Sequence, residues 1–220
     1  MSHDLRAPLR SMSGICEILT ENYGPGATID QGWKEYVRRI SESASQMDRL
    51  IVDLLEFSRV ARGRLHVEPI DLGPLLADSA REPGLGGRVA VVAPPDGPVL
   101  GNRVLLSQVF SNLFSNGVKF VPEGIEPRVT VRTEDGDAGW IRVWVEDNGI
   151  GIAPEYQERI WKVFERLNDA GRYPGSGIGL AIVRRAVLRM GGRVGVESAE
   201  RKGSRFWVEL PRAPRDGAHP

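Results

Sequence analysis

Apolar positions in the first third of the chain fall on a helical rhythm. Leu5, Leu9, Met12, Cys16 and Leu19 recur at spacings of 4, 3, 4 and 3, the stripe of an amphipathic helix with Cys16 as a small core residue. The stretch Asn22–Asp30, with Gly-Pro-Gly inside it, interrupts that rhythm and offers Asp30 as an N-cap. Val37, Ile40, Ala44, Met47, Ile51, Leu54 and Ser58 then keep a 3,4 alternation between polar faces carrying Arg38, Arg39, Glu42, Arg49 and Asp53. That is a narrow seam of the coiled-coil kind. Two such helices cannot enclose a core alone, so the hairpin is expected to pair with a second copy as a four-helix bundle.

The pattern changes near Ala61-Arg-Gly-Arg64, read as the linker. Beyond it, helical periodicity predicts helices over 72–80, 103–120, 154–166 and 178–190. Alternation predicts strands over 88–93, 128–133 and 140–146, and a closing hairpin of 193–198 with 204–210. Strands bunched around helices imply an α+β fold, with helices on one face of a mixed sheet. The division expected is 1–62 for a helical-hairpin dimerisation domain, 63–212 for an α/β sandwich and 213–220 for a flexible tail. In the strand 140–146, Ile141, Val143 and Val145 share one face and Trp140 and Trp144 the other, as Trp207 does relative to Phe206 and Val208. Tryptophans on an uncovered sheet face imply either a docking partner or cross-strand packing.

Composition narrows the class. The chain has 220 residues, 41% hydrophobic and 26% charged, with 29 Lys+Arg against 29 Asp+Glu. Balanced charge argues against a protein that gains affinity by neutralising nucleic-acid phosphates. A single Cys excludes a disulfide framework and a Cys-rich metal site. No apolar run approaches the ~18 residues of a membrane span, so no membrane contact is expected of this segment. The expected location is cytoplasmic, alone or as the cytoplasmic part of a larger sensor.

Three segments of the second domain carry candidate chemistry. Asn112 and Asn116, at i and i+4, put two amides on one helix face, where they can offer oxygens to a hard cation. Asp147-Asn-Gly-Ile-Gly151 ends a strand; Gly149 and Gly151 allow close backbone approach, and the aspartate can accept a hydrogen bond from a ligand amine. Gly175-Ser-Gly-Ile-Gly-Leu180 leads into a helix, whose free N–H groups and dipole suit a phosphate.

Taken together, Asn112-x-x-x-Asn116, Asp147-x-Gly149-x-Gly151, Phe164-Glu-Arg-Leu and Gly175-x-Gly177-x-Gly179 resemble, in order, the N, G1, F and G2 boxes of sensor histidine kinases. Ser2-His-Asp-Leu-Arg-Ala-Pro-Leu-Arg10 resembles their phospho-acceptor H box. The resemblance covers essentially the whole chain. It implies a dimerisation and phosphotransfer hairpin followed by an ATP-binding domain of the gyrase/Hsp90/histidine kinase/MutL type. The run Glu165–Leu180 looks most like the kinases attached to phytochromes and other multi-sensor proteins.

The resemblance also implies roles. His3 would be the nucleophile, since neutral imidazole needs no strongly perturbed pKa to attack a phosphoryl group. Asp4 would hold the other ring N–H, and Pro8 would loosen the turn by removing a backbone donor. Asn116 would bind Mg2+, with Asn112 as a second ligand or water-positioning group, and Lys119 would meet phosphate. Asp147 would read the adenine amino group of ATP and Phe120 would pack on the base. Gly175, Gly177, Gly179 and Leu180 would close over the phosphates, with Arg172 as a charge clamp.

The partners implied are a second copy of the chain and the receiver domain of a response regulator, with an upstream sensor domain absent from this sequence. Ala7 stands where many members carry Thr or Asn, which implies weak phosphatase activity. Met190 stands where many carry His, and His66 and His219 are given no role. Met1 lies two residues before His3, so the helix that normally continues the bundle is missing and a weakened dimer is expected. The competing reading is a nucleotide-binding signalling scaffold, a pseudokinase without turnover.

Overall fold

The computed structural model describes residues 2–22, 31–62, 65–93, 97–137, 139–167, 173 and 175–214, with side chains for all of these except 2–7, 31, 46, 61, 62 and 93. Asp30, Arg172 and His219 lie outside the described residues, and His3, Asp4 and Ala7 are described by backbone alone. The chain divides into two compact units, Met1–Glu56 and Phe57–Pro220.

The first unit holds α1 (Ser2–Asn22) and most of α2 (Gln31–Arg62). Met12, Leu19, Ile40, Met47, Leu54 and Ser58 are covered as expected, whereas cover at Leu9, Cys16, Ala44 and Ile51 passes to the preceding residue. On α1 the less exposed residues are Pro8, Met12, Ile15 and Leu19, whereas Leu9 and Cys16 are exposed. Cys16 is therefore not a core residue of the single chain. On α2 the covered stripe is Ile40, Ser43, Met47, Leu50 and Leu54, while Val37, Ala44 and Ile51 are exposed. The periodicity was a sound guide to helix, but each helix has more apolar positions than one contact line uses.

In the second unit, β1 (Glu68–Ile70) and β3 (Val99–Gly101) form a small antiparallel pair that lies outside the sequence expectation. Three-residue strands are too short to carry a period. Between them come α3 (Leu72–Ala80), capped by Asp71 accepting from Gly73 N–H at 2.9 Å, and β2 (Val89–Ala93). The helix α4 (Arg103–Lys119) starts at Asn102, whose side chain accepts from Leu105 N–H. Then follow β4 (Val129–Asp135), β5 (Trp140–Asp147), α5 (Gly179–Arg189), β6 (Arg193–Ser198) and β7 (Ser204–Pro211). The main sheet has five strands in the order β2-β4-β5-β7-β6, parallel only between β2 and β4.

The segment 154–166 is not a helix. It makes two short 3-10 turns, Pro154–Tyr156 and Arg159–Trp161. Of the residues in these turns only Ile160 and Trp161 are buried, and Phe164 has a left-handed φ of 66° with its N–H donated to Gly177 O. A backbone committed to that distant partner cannot propagate a helix. Ala213, the first residue of the expected tail, is buried and donates its N–H to Pro98 O at 2.9 Å.

The two sheet faces are built differently. Ile141, Val143, Val145, Val208 and Leu210 are essentially inaccessible and form the core with Phe110, Leu113 and Phe114 of α4. The other face carries Trp144 directly opposite Trp207 in the β5–β7 register. Arg132, Arg142 and Arg205 lie over the Trp144 ring at 5.3, 5.4 and 4.6 Å from its centroid, and Trp144 is only 3% exposed. Glu146 binds Arg132 and Arg205, and Glu209 binds Arg142. Cross-strand packing roofed by guanidinium groups thus accounts for Trp144, and the docking expectation for it falls.

Candidate active site

Gly117 is what lets α4 lie against the sheet at the site. A Cβ there would come within 2.7 Å of Val129 Cγ2 and 3.3 Å of Asp147 Cβ, and Val129 and Asp147 are register partners at the ends of β4 and β5. Immediately after the helix, Phe120 O accepts from Ile150 N–H at 2.9 Å. A side chain on Gly149 would run into that same carbonyl. The end of α4 and the loop after β5 are therefore locked together through backbone, at a spacing only glycine allows.

Asp147 sits in this joint. Its Oδ1 accepts from Gly149 N–H at 2.9 Å and from Ser204 N–H at 3.0 Å. Burial strips water from the carboxylate and pushes its pKa up to about 6, against the pull of those two N–H groups. The β6–β7 turn braces the loop from the far side: Arg201 N–H donates to Ile150 O at 2.7 Å, and Ser198 Oγ accepts from Ile152 N–H. Gly151, at φ 71°, faces Ala199 O so closely that no Cβ fits.

The amides of α4 and the glycine turn before α5 meet at the other end. Asn112 Nδ2 donates to Gln108 O at 2.8 Å. Its Oδ1 faces Gly179, where an added Cβ would stand 2.6 Å away. Asn116 is half-buried one turn on. Lys119 Nζ lies 4.4 Å from the Phe120 ring centroid and borders Gly175, where a Cβ would displace it. Gly177 turns at φ 73°, and α5 begins at Gly179 with no side chain capping its first N–H groups. Such an end attracts anions.

The described residues so bring together Asn112, Asn116, Lys119, Phe120, Asp147, Gly149, Gly151, Gly175, Gly177, Gly179 and Leu180 around one region of the second unit. One end presents a carboxylate acceptor, the other amide oxygens, an ammonium and free N–H groups. Among the described residues no group of three His, Cys, Asp or Glu could hold a metal. Amide oxygens suit a hard cation that keeps waters and takes its remaining ligands from phosphate, as Mg2+ does. The donor set fits that ion.

Sequence reasoning missed three contributors. Ser204 acts through its backbone N–H, Arg166 through a bond to Tyr173 O at 3.2 Å, and Tyr173 through a hydroxyl donated to Val121 O at 3.2 Å. Arg166 lies in the Phe164-Glu-Arg-Leu motif but is given no role, and Ser204 and Tyr173 belong to none of the quoted boxes.

A family model described as His Kinase A (phospho-acceptor) domain matches residues 1–63, and one described as Histidine kinase-, DNA gyrase B-, and HSP90-like ATPase matches residues 101–214. The chain is similar to the sensor histidine kinase AruS of Pseudomonas aeruginosa, 35% identical over 238 residues that cover 100% of this chain and 23% of that protein. It is also similar to the phytochrome-like protein Cph1 of Synechocystis, 30% identical over 215 residues that cover 96% of this chain and 28% of that protein. Among solved structures, full-length ShkA in complex with AMPPNP superposes with a TM-score of 0.64 at 29% identity, over 97% of this chain and 45% of that one. The likeness is thus no nearer to a phytochrome-type protein than to other sensor kinases. The chain spans about a quarter of the length of the curated relatives it matches.

Proposed function

The chain belongs to the histidine kinases, as a phospho-acceptor region followed by an ATPase domain of the histidine kinase, gyrase B and HSP90 type, and we propose that it phosphorylates its own His3 from ATP. The observation that carries this reading is the pairing of a base-binding end, the desolvated Asp147 beside Gly149, with a phosphate-binding end. There Asn112 and Lys119 border Gly179 and Gly175.

In this reading Asp147 accepts the adenine amino group, Phe120 packs on the base, and Lys119 with the N–H groups of Gly179 and Leu180 neutralises the phosphates. Asn116, with Asn112 as a second ligand or water-positioning group, would hold Mg2+, which would supply charge neutralisation along the phosphate chain. Arg172 adds a further cation there. A nitrogen of His3 attacks the γ-phosphorus as the bond from that phosphorus to the β,γ-bridging oxygen breaks and ADP leaves. Asp4 accepts the hydrogen bond of the other ring N–H and eases loss of its proton. Positioning and charge neutralisation supply most of the rate. The phosphoryl group then passes to an aspartate oxygen of a response-regulator receiver domain, which restores the imidazole.

Dimerisation through a four-helix bundle is part of the proposal, supported by the exposure of Ile51 (44%) and Leu55 (54%) on α2. The domain limits 1–62 and 63–212 and a phytochrome-type subgroup belong to the same reading. No helix among the described residues is long and apolar enough to cross a membrane.

The test is incubation with Mg2+ and γ-labelled ATP, with His3→Ala alongside. Acid-labile, alkali-stable label that vanishes in the variant is expected. Absence of label despite measurable ATP binding would overturn turnover in favour of a nucleotide-binding scaffold.

A further inference from the structure

Between the F-box turn and the glycine turn, Tyr173 makes contacts that the proposed chemistry does not use. It is 8% exposed, its ring lies 5.4 Å from the Phe120 ring at 44°, and its hydroxyl donates to Val121 O in a buried bond. Arg166 Nη2 donates to its carbonyl. Two residues on, Lys119 borders Gly175 and stands over the other contact partner, Phe120. Beyond that, Gly177 O accepts Phe164 N–H at 2.9 Å, and a Cβ on Gly177 would stand 2.8 Å from Glu165 O. The glycine turn is thus pinned twice, to the end of α4 by Tyr173 and to the F-box turn by Gly177.

We infer that Tyr173 is a positioning residue for the phosphates: held by Phe120, Val121 O and Arg166, it sets where the Gly175–Gly179 turn stands before nucleotide arrives. The inference rests on the ATP-binding reading above and deepens it. A flexible glycine run spends binding energy on becoming ordered, and a buried aromatic contact with a directed hydroxyl removes part of that cost in advance. The effect should fall on groups that touch the turn. At the base end, Asp147, Gly149 and Ser204 have their own braces, and Tyr173 reaches it only through the Phe120 ring.

The full chain, Tyr173→Phe and Tyr173→Ala would be compared for binding of ATP and of adenosine, and for the KM and kcat of autophosphorylation. Loss of one hydrogen bond in Tyr173→Phe should weaken ATP binding about threefold, and loss of the ring contact as well in Tyr173→Ala about tenfold or more. Adenosine affinity should stay unchanged in Tyr173→Phe, which keeps the ring contact with the base-packing Phe120, and KM should rise more than kcat falls. In a folded Tyr173→Phe, a parallel fall for adenosine or unchanged ATP binding would overturn the inference. Tyr173→Phe keeps the ring and so keeps the test open if Tyr173→Ala fails to fold. If the unmodified chain binds adenosine but not ATP, or neither, the ATP-binding reading itself fails and takes the inference with it.

Discussion

The two units of the chain bury their apolar residues to very different extents. On α1 and α2, Ile15 and Leu50 are buried, but Leu9, Ile18, Val37, Ile51, Val52 and Leu55 stand in solvent. In the sheet unit, Phe110, Phe114, Leu106, Leu113, Ile141, Val143 and Leu210 are all within 1% of complete burial. Full burial of a side chain of this size contributes about 1.5–3 kcal/mol. The sheet unit takes that gain from most of its own apolar residues, with exceptions such as Val92, Val104, Ile125 and Leu188, whereas the helical unit leaves most of it uncollected, for the proposed dimer to take. One unit should accordingly behave the same at any concentration, and the other should not.

Four expected outcomes would sharpen or break this contrast. The largest is Phe110→Ala, which opens a cavity under α4 and should cost about 3–5 kcal/mol. Chemical denaturation should find that loss unchanged across protein concentrations; a concentration-dependent loss would blur the distinction. Next, Ile51→Lys combined with Leu55→Lys should raise the dimer dissociation constant about a hundredfold, by removing two apolar side chains and burying charge. Sedimentation equilibrium reads this directly, and nucleotide binding should not change; an unaltered dimer would mean that the exposed stripe is not the contact.

Asp147→Asn is third. The carboxyl ionises near its ordinary value of 3.8 when unfolded and near 6 when folded, so the folded state holds the proton longer and stability falls as pH rises through that window. At pH 8 the variant should gain about 2–3 kcal/mol of stability while losing affinity for ATP, and at pH 5 the gain should shrink to about half. A gain independent of pH would show that burial of the anion is not its source. The smallest is Arg142→Ala, which removes a cation over Trp144 and Trp207 and a partner of Glu209. Thermal melts should register about 1 kcal/mol, diminishing at high salt.

How far the sequence speaks depends on where each residue's partners lie. The helices α3, α4 and α5 and the strands β4 to β7 announce themselves because their burial repeats with the period of the element. Asp147 and the glycines are legible because close backbone approach needs glycine beside the group it frames. The turns of 154–161 misled because Phe164 and Gly177 bond across the sequence and override a helical reading. The roles of Tyr173, Arg166 and Ser204 stay hidden because their partners are carbonyls and a carboxylate elsewhere along the chain, although Arg166 itself sits in a quoted motif. On α1 and α2 the helices are plain and Met12, Leu19, Ile40, Met47 and Leu54 lie on the covered line, but Leu9 and Cys16 do not, since the neighbouring Pro8 and Ile15 are as apolar and take their places.

The guanidinium roof over Trp144 also makes the protein its own optical probe. Of the five tryptophans, Trp33 alone belongs to the helical unit, while Trp144 lies beneath three cations. Positive charge held against an indole face shifts its excited state, so light emitted by Trp144 differs from that of a residue in water or hydrocarbon. Disturbing the roof should then change colour before it changes shape, and Trp33 supplies a separate signal from the other half of the chain.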